Sequence, residues 1–411
     1  MLGGQPAISL DQTEALRWPI LTSEDEEAVL RVLRSGEISI NDEVSKLEED
    51  YRQWLDLPYA IAHNNGTGGI HGAMHAFDIG PGDEVIVQSA TWWASVMPIL
   101  HQGGIPVFAE LDPDTLGLCP EDVERKITDR TKAIVVVHLF GMPSKMDELM
   151  EIASKYGLLV LEDASHAHGA TYKGRKIGTI GDAAVFSMQA NKLVPSSEGG
   201  MFLCSDEEMY EKVIRYGHYE RLLGLESLNK YLAATGLGHK FRMSPLSAAV
   251  ARVQLQHLDE RNAKRNHNCI RLGERLERLG IKAFLAPDNV ERTYFEYLVH
   301  YDEDATGLPI GDLAVALRAE GAQIEAPRYP LLHQMPVFTH GFWSMIARAD
   351  ETDDEPLREY DIDDLPFTVK GNGSLLKLPA FPNADDELID QYAVAFEKVL
   401  SHADEIPRDS E

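Results

Sequence analysis

Hydrophobic residues in this chain gather in two ways: short unbroken runs, and longer stretches where they recur every three or four positions. Glu84-Val-Ile-Val87, Pro106-Val-Phe-Ala109, Ala133-Ile-Val-Val-Val137, Gly157-Leu-Leu-Val-Leu161, Ala183-Ala-Val-Phe186 and Met201-Phe-Leu-Cys204 are runs of the first kind. Their length and lack of polar alternation predict strands buried on both faces. Tyr59-Ala-Ile-Ala62 reads as a further short strand. The helical period predicts helices from Pro120 to Ile127, from Met146 to Tyr156 and from Asp206 to Tyr216. Thr22-Ser23 followed by Glu26 is a capping-box signature that opens a helix closed by Gly36, and Leu47–Leu55 continues as a second helix. Strands alternating with helices in this way imply right-handed crossovers and a mainly parallel sheet with helices on both faces, an α/β fold.

The pattern changes after Gly200. Residues 217–240 are polar and irregular and read as a loop reaching across a subunit boundary. Pro245 to Leu279 is a long periodic stretch stopped by Gly280, and a domain boundary is expected near its middle, around Leu258. Beyond it come a strand over Tyr294–His300, a helix over Ile310–Glu320, a short strand at Gln323–Glu325 and a helix over Asp385–Leu400. These predict a small α+β domain covering the mouth of a site. Residues 348–372 are acidic and read as an excursion on the surface. The expected division is an N-terminal arm or frayed terminus over 1–17, which carries no strong period, a large domain over 18–258 and a small domain over 259–411.

Charge and cysteine content narrow the partners. Asp plus Glu number 67 against 38 Lys plus Arg, a net charge of −29, which repels nucleic acid and anionic membranes. Cys119, Cys204 and Cys269 are far apart, without metal-ligand or disulfide-framework spacing, and no metal site is expected. No apolar run reaches the eighteen residues of a membrane helix, and no signal peptide is apparent. A cytoplasmic protein is the expectation.

The candidate chemistry lies in Leu161–Gly200. The strand ending at Leu161 delivers Asp163, then His166 and His168, to its C-terminal end, where open α/β sheets place ligands. The next strand delivers Ser187 and, five positions on, Lys192. A carboxylate and a lysine at neighbouring strand ends suit pyridoxal phosphate, whose aldehyde joins a lysine as a Schiff base while a carboxylate partners the ring nitrogen. The pair taken alone is equally an ordinary buried ion pair. Upstream, His63-Asn-Asn-Gly-Thr-Gly-Gly69 joins a strand to a helix and reads as an anion site made of free amides, or as a mere tight turn.

Glu162-Asp163-Ala-Ser-His166-Ala, Gly169-Ala170, Gly178, Gly181, Phe186-Ser-Met-Gln-Ala-Asn-Lys192 and Glu198-Gly-Gly200 together resemble the DegT/DnrJ/StrS-type aminotransferases. These are fold-type I pyridoxal-phosphate enzymes, and the resemblance runs from Trp18-Pro19 to the C-terminal helix. It implies that Lys192 carries the cofactor, that Asp163 keeps the ring nitrogen charged, and that His166 touches the ring or its phenolic oxygen. It further implies that Gly66, Thr67 and Ser187 bind the phosphate and that Trp92 stacks on the ring, with Trp93 left to packing. Family members usually carry a hydroxyl residue where this chain has Gly68.

The same resemblance implies a glutamate or glutamine donor, a keto sugar or keto cyclitol acceptor, and a homodimer with composite sites. Lys240 occupies the place of an asparagine that reaches the partner's phosphate group. Tyr329 and His333 match a loop that contributes substrate contacts. The sequence around Lys192 looks most like the cyclitol-aminotransferase and aminohydroxybenzoate-synthase branch, so a dehydrating or aromatising activity on the same scaffold is the alternative. A non-catalytic regulatory homologue is a further alternative, against which Asp163 and Lys192 argue. His138, directly after its strand, reads as a satisfied core histidine.

Overall fold

The apolar runs form one seven-stranded sheet in a computed structural model that describes residues 3–225, 236–347 and 358–408. Its strands are β1 (Tyr59–His63), β2 (Glu84–Gln88), β3 (Ile105–Ala109), β4 (Thr131–Val137), β5 (Leu159–Asp163), β6 (Ala183–Ser187) and β7 (Gly200–Cys204). The spatial order is β1-β7-β6-β5-β4-β2-β3. Pairing is parallel from β6 through β3, while β7 runs antiparallel to both β6 and β1. That reversal follows from the link between β6 and β7: residues 188–199 make a return with no crossover helix, and a parallel neighbour would need one.

Alternate residues of each strand serve different cores. Val85, Val87, Val135 and Leu161 face one, and Ile86, Ile134, Val136 and Val160 the other. The pleat therefore sends Asp163 and Glu162 to opposite sides of the sheet. A third core gathers helix Leu258–Arg278, helix Ile310–Ala319, helix Asp386–Ser401 and an antiparallel pair, β8 (Tyr297–His300) with β9 (Leu375–Leu378).

Several expectations need correction. The long helix is two helices, Pro245–Gln256 and Leu258–Arg278, which meet at His257. Thr22 caps its helix, but the reciprocal acceptor for its N–H is Asp25 (2.8 Å), one residue before Glu26. The strand expected from Tyr294 begins at Tyr297, and Gln323–Glu325 supplies only a bridge between Glu325 and Lys377. Strand β9 and helix Pro366–Gly373 carry no signal in the sequence.

Of the two readings of the first residues, the structure takes the arm: the N–H groups of Ala7 and Ile8 reach Glu320, and Ile8 is buried. Of the acidic stretch, 348–357 lies outside the described residues. The remainder is anchored, for Tyr360 donates to the Pro106 carbonyl (2.7 Å) and the Thr368 hydroxyl to Glu110. Of the expected loop, residues 226–235 lie outside the described ones, and Tyr219–Gly224 forms a 3₁₀ turn.

Candidate active site

The carboxyl ends of β5 and β6 open into a cavity of 490 Å³. Asp163, Ser187 and Lys192 line it, as do Gly66, Thr67, Trp92, His166 and Tyr329. Eight residues expected at the site from five separate stretches are thus brought together. Lys240 and His333 are not. Lys240 is exposed on its own chain and pairs with His218 through a backbone bridge. His333 is buried off the cavity wall, where its Nδ1 shares a hydrogen with the Ser89 hydroxyl (2.7 Å) and its N–H donates to the same oxygen.

Asp163 is 5% exposed. Its Oδ2 accepts from the Ser95 hydroxyl at 2.7 Å and its Oδ1 from the Ser165 amide at 3.2 Å. A carboxylate cannot donate, so Ser95 must, and the Thr91 hydroxyl, 3.1 Å from Ser95, can then donate to Ser95 in turn. Sequence reading missed Ser95; its signal was the hydroxyl four residues after Thr91, at the start of the element following β2.

Lys192 ends a turn whose amide bonds the Gln189 carbonyl, and its own carbonyl accepts from the Trp18 indole N–H at 3.2 Å. The residue is partly exposed, but its amino group lies 4.4 Å from the centre of the Phe295 ring. Burial, opposed by Asp163 and aided by Arg328, brings its pKa down to about 8. A desolvated lysine of that kind is neutral for a useful fraction of the time near physiological pH and can act as a nucleophile or base.

His166 accepts the Phe140 amide at Nδ1 (3.3 Å), which leaves its proton on Nε2 to donate to the Tyr329 hydroxyl (3.1 Å). Its ring packs on Phe295 with centroids 4.2 Å apart. Burial, with Lys192 and Arg328 nearby, holds it well below the usual imidazole range, so the ring is neutral. Burial likewise pushes the Tyr329 phenol up and keeps it protonated. His168 serves the opposite core: it bonds Tyr51 at 3.0 Å, and its carbonyl accepts from Asn262. His138 is a core histidine, fully buried and bonded to Glu162 at 3.1 Å.

The helix Gly66–Ala76 begins at the cavity, and Asn65 caps it by accepting the Gly68 amide at 2.7 Å. The amides of Gly66 and Thr67 belong to the first turn, which has no intrahelical acceptors for them. A side chain at position 66 would bring its Cβ within 2.9 Å of the Ser187 Cβ, so glycine there lets Ser187 sit against the helix start. At position 68 a Cβ would stand 3.3 Å from the Phe241 ring.

Both tryptophans line the cavity, Trp92 47% and Trp93 44% exposed, with ring centres 5.2 Å apart. The assignment of Trp93 to packing is therefore corrected. Phe295 and Arg328 also belong to the wall and had no local signal, because they come from the distant C-terminal part.

Comparison with known proteins finds relatives along nearly the whole chain. The family model described as "DegT/DnrJ/EryC1/StrS aminotransferase family" matches residues 19–359. The L-glutamine:2-deoxy-scyllo-inosose aminotransferase of Streptomyces kanamyceticus is 34% identical, covering 94% of this chain and 93% of that protein. The spore coat polysaccharide biosynthesis protein SpsC of Bacillus subtilis (strain 168) is 30% identical, over 94% and 97%. Among solved structures, an aminotransferase from Psychrobacter cryohalolentis superposes with a TM-score of 0.82 at 28% identity, covering 94% of this chain and 99% of that one. Among the described residues, no helix is long and apolar enough to cross a membrane. With the family model spanning most of the chain and the fold shared end to end, the chain belongs to the DegT/DnrJ/EryC1/StrS family and is a pyridoxal-phosphate-dependent aminotransferase of fold type I.

Proposed function

We propose that the cavity binds pyridoxal phosphate and that the enzyme moves an amino group from glutamine or glutamate to a keto sugar or keto cyclitol in the cytoplasm. The observation that carries this is the convergence of Lys192, Asp163 and the Gly66–Thr67–Ser187 cradle on one cavity. The donor set fits the group: amides at a helix start for a phosphate, a low-pKa amine for an aldehyde, a buried carboxylate for a ring nitrogen. Bound there, pyridoxal phosphate supplies an aldehyde carbon that combines with amines and a ring that draws electrons from the substrate carbon.

The chain's own residues do the rest. The Lys192 Nζ takes the proton from the donor's α-carbon and returns it on the other side of the exchange. Asp163, oriented by Ser95, would hold a proton on the ring nitrogen of the bound group. His166 and Tyr329 form a neutral hydrogen-bonded pair along the wall, and Trp92 would cover the ring of the bound group. Three relatives at 32–36% identity are named L-glutamine:2-deoxy-scyllo-inosose aminotransferase, which supports glutamine and a cyclitol; another, at 35%, is named GDP-perosamine synthase and keeps the sugar in view. Incubating the holoenzyme with each donor and a panel of keto cyclitols and nucleotide keto sugars tests the reading. Loss of the cofactor's aldehyde absorbance with neither donor would overturn it.

We also propose that residues 18–258 form the cofactor domain and 259–411 the small domain, with 1–17 an N-terminal arm. Hydrogen exchange that protects and releases both together as one unit would argue against this division. Lys240 is assigned to the cavity of a second copy, as a cation for the phosphate in a symmetric dimer. His333 is assigned a positioning role through Ser89, and Tyr329 a substrate contact. Mixing Lys192→Ala with Lys240→Ala subunits should restore activity, because one site of the hybrid is then intact. No recovery despite proven subunit exchange would remove Lys240 from that role.

A further inference from the structure

Beside the cavity that holds Lys192 lies a second one of 270 Å³, and the two share Asn191, Phe295 and Arg328 as a common wall. Glu296 is set into this second cavity and is 4% exposed. Its Oε1 accepts from the Arg328 Nε–H, with the Lys377 ammonium 3.6 Å away. Lys377 is itself held by Glu325 at 2.6 Å. Arg328 and Lys377 thus both lie on Oε1, while Arg265, a third cation on this wall, donates to the Tyr294 carbonyl at 3.1 Å and stacks on Trp18. The other oxygen, Oε2, is enclosed and has no hydrogen-bond donor among the described residues. A buried carboxylate oxygen without a donor is unfavourable, and a ligand that brings an N–H removes the deficit.

We propose that the second cavity receives the side chain of the amino donor, and that Glu296 selects a primary carboxamide over a carboxylate there. The proposal rests on the aminotransferase reading of the Lys192 cavity and adds the determinant of the donor. A carboxamide offers N–H groups to Glu296 and a carbonyl oxygen to Arg328 or Lys377. A second carboxylate offers only acceptors, and its charge meets that of Glu296. A site whose buried acceptor is filled by one ligand and left empty by its analogue discriminates more strongly than one differing in shape alone. Glutamine is the favoured donor on this account, and glutamate the poor one.

Calorimetric titration of the holoenzyme with 4-carbamoylbutanoate and with glutarate, which are glutamine and glutamate without the amine, reads the selection without turnover. The carboxamide should bind at least about tenfold more tightly to the parent protein, and Glu296→Gln should bring the two within about threefold. Lys377→Met removes a cation but leaves Glu296, so it should widen the gap. Both variants should keep the parent's bound-cofactor absorbance. A ratio left unchanged by Glu296→Gln overturns the proposal, as does a gap that Lys377→Met narrows. Should Glu296→Gln fail to fold, the direction of the Lys377→Met change decides. Failure to take up pyridoxal phosphate at all would instead overturn the site assignment, a result distinct from normal uptake with an indifferent ratio.

Discussion

Glu162 and Asp163 are consecutive carboxylates at the end of one strand, yet the two faces of the sheet treat them differently. Glu162 accepts the amides of Ile180 (2.6 Å) and Gly181 (2.8 Å) on one oxygen, and that of Gly178 (2.9 Å) with His138 (3.1 Å) on the other. Burial alone would raise its pKa, but these donors outweigh it and hold the carboxyl below the usual range. An ionised carboxylate has about four acceptor positions, so Glu162 is filled. Asp163 has one hydroxyl and one amide, and it borders the cavity. A carboxylate saturated by its own protein fixes structure; one left half-satisfied beside a cavity has capacity for a ligand.

The cavity side should break hardest at Lys192. Lys192→Ala is expected to lower turnover by at least about 10⁴-fold, about 5.5 kcal/mol, with the protein still folded. Single-turnover absorbance with a reconstituted sample checks this; turnover within tenfold of the parent would remove Lys192 from the chemistry. On the other face, Glu162→Gln should cost about 4 kcal/mol of stability by leaving buried donors without an ionised acceptor. The turnover of the folded fraction should change little. Denaturant unfolding together with active-site titration separates the two quantities, and a large fall in turnover at full stability would contradict the comparison.

Asp163→Ala sharpens the contrast, with the expected loss about 3 kcal/mol in rate and a small change in melting temperature. Parent-like turnover at saturating cofactor would make Asp163 a structural group like its neighbour. The smallest effect is on pH dependence. Folding lowers the Lys192 pKa to about 8, whereas the unfolded chain keeps that proton until about 10.4. Between those values the unfolded state binds more protons, so the apo-protein should gain stability as pH rises through that window and lack it below 8. Lys192→Met should abolish the gain. Uptake of pyridoxal phosphate should titrate with the same midpoint in stopped-flow absorbance; a midpoint near 10 would show the amine to be solvated.

What could be read from the sequence was local. Asp163 and Lys192 follow directly from two buried strands, so the run lengths alone place them at one end of the sheet. The helix start at Gly66 is equally local, through Asn65 and the glycines. The rest depends on packing between distant segments. Phe295 and Arg328 reach the cavity only because the C-terminal core sits against the sheet, which no period records. Trp93 was misjudged because the element after β2 opens as a 3₁₀ turn over Trp93–Ser95 behind an extended Trp92. The two rings therefore do not take the angular step of an α-helix.

The docked N-terminal arm has a consequence for the order in which the protein is made. Residues 7–18 leave the ribosome early, but their hydrogen-bond partners are late: Glu320 for Ala7 and Ile8, Gln391 for Ser9, and the Asn383 amide for the Ala15 carbonyl. The same segment ends at Trp18, whose indole N–H holds the Lys192 carbonyl and whose ring lies under Arg265 at 3.9 Å. These early residues must wait for the helix Asp386–Ser401 before they can settle. The segment that supports the turn of Lys192 is thus fixed on its other side by residues made some three hundred positions later.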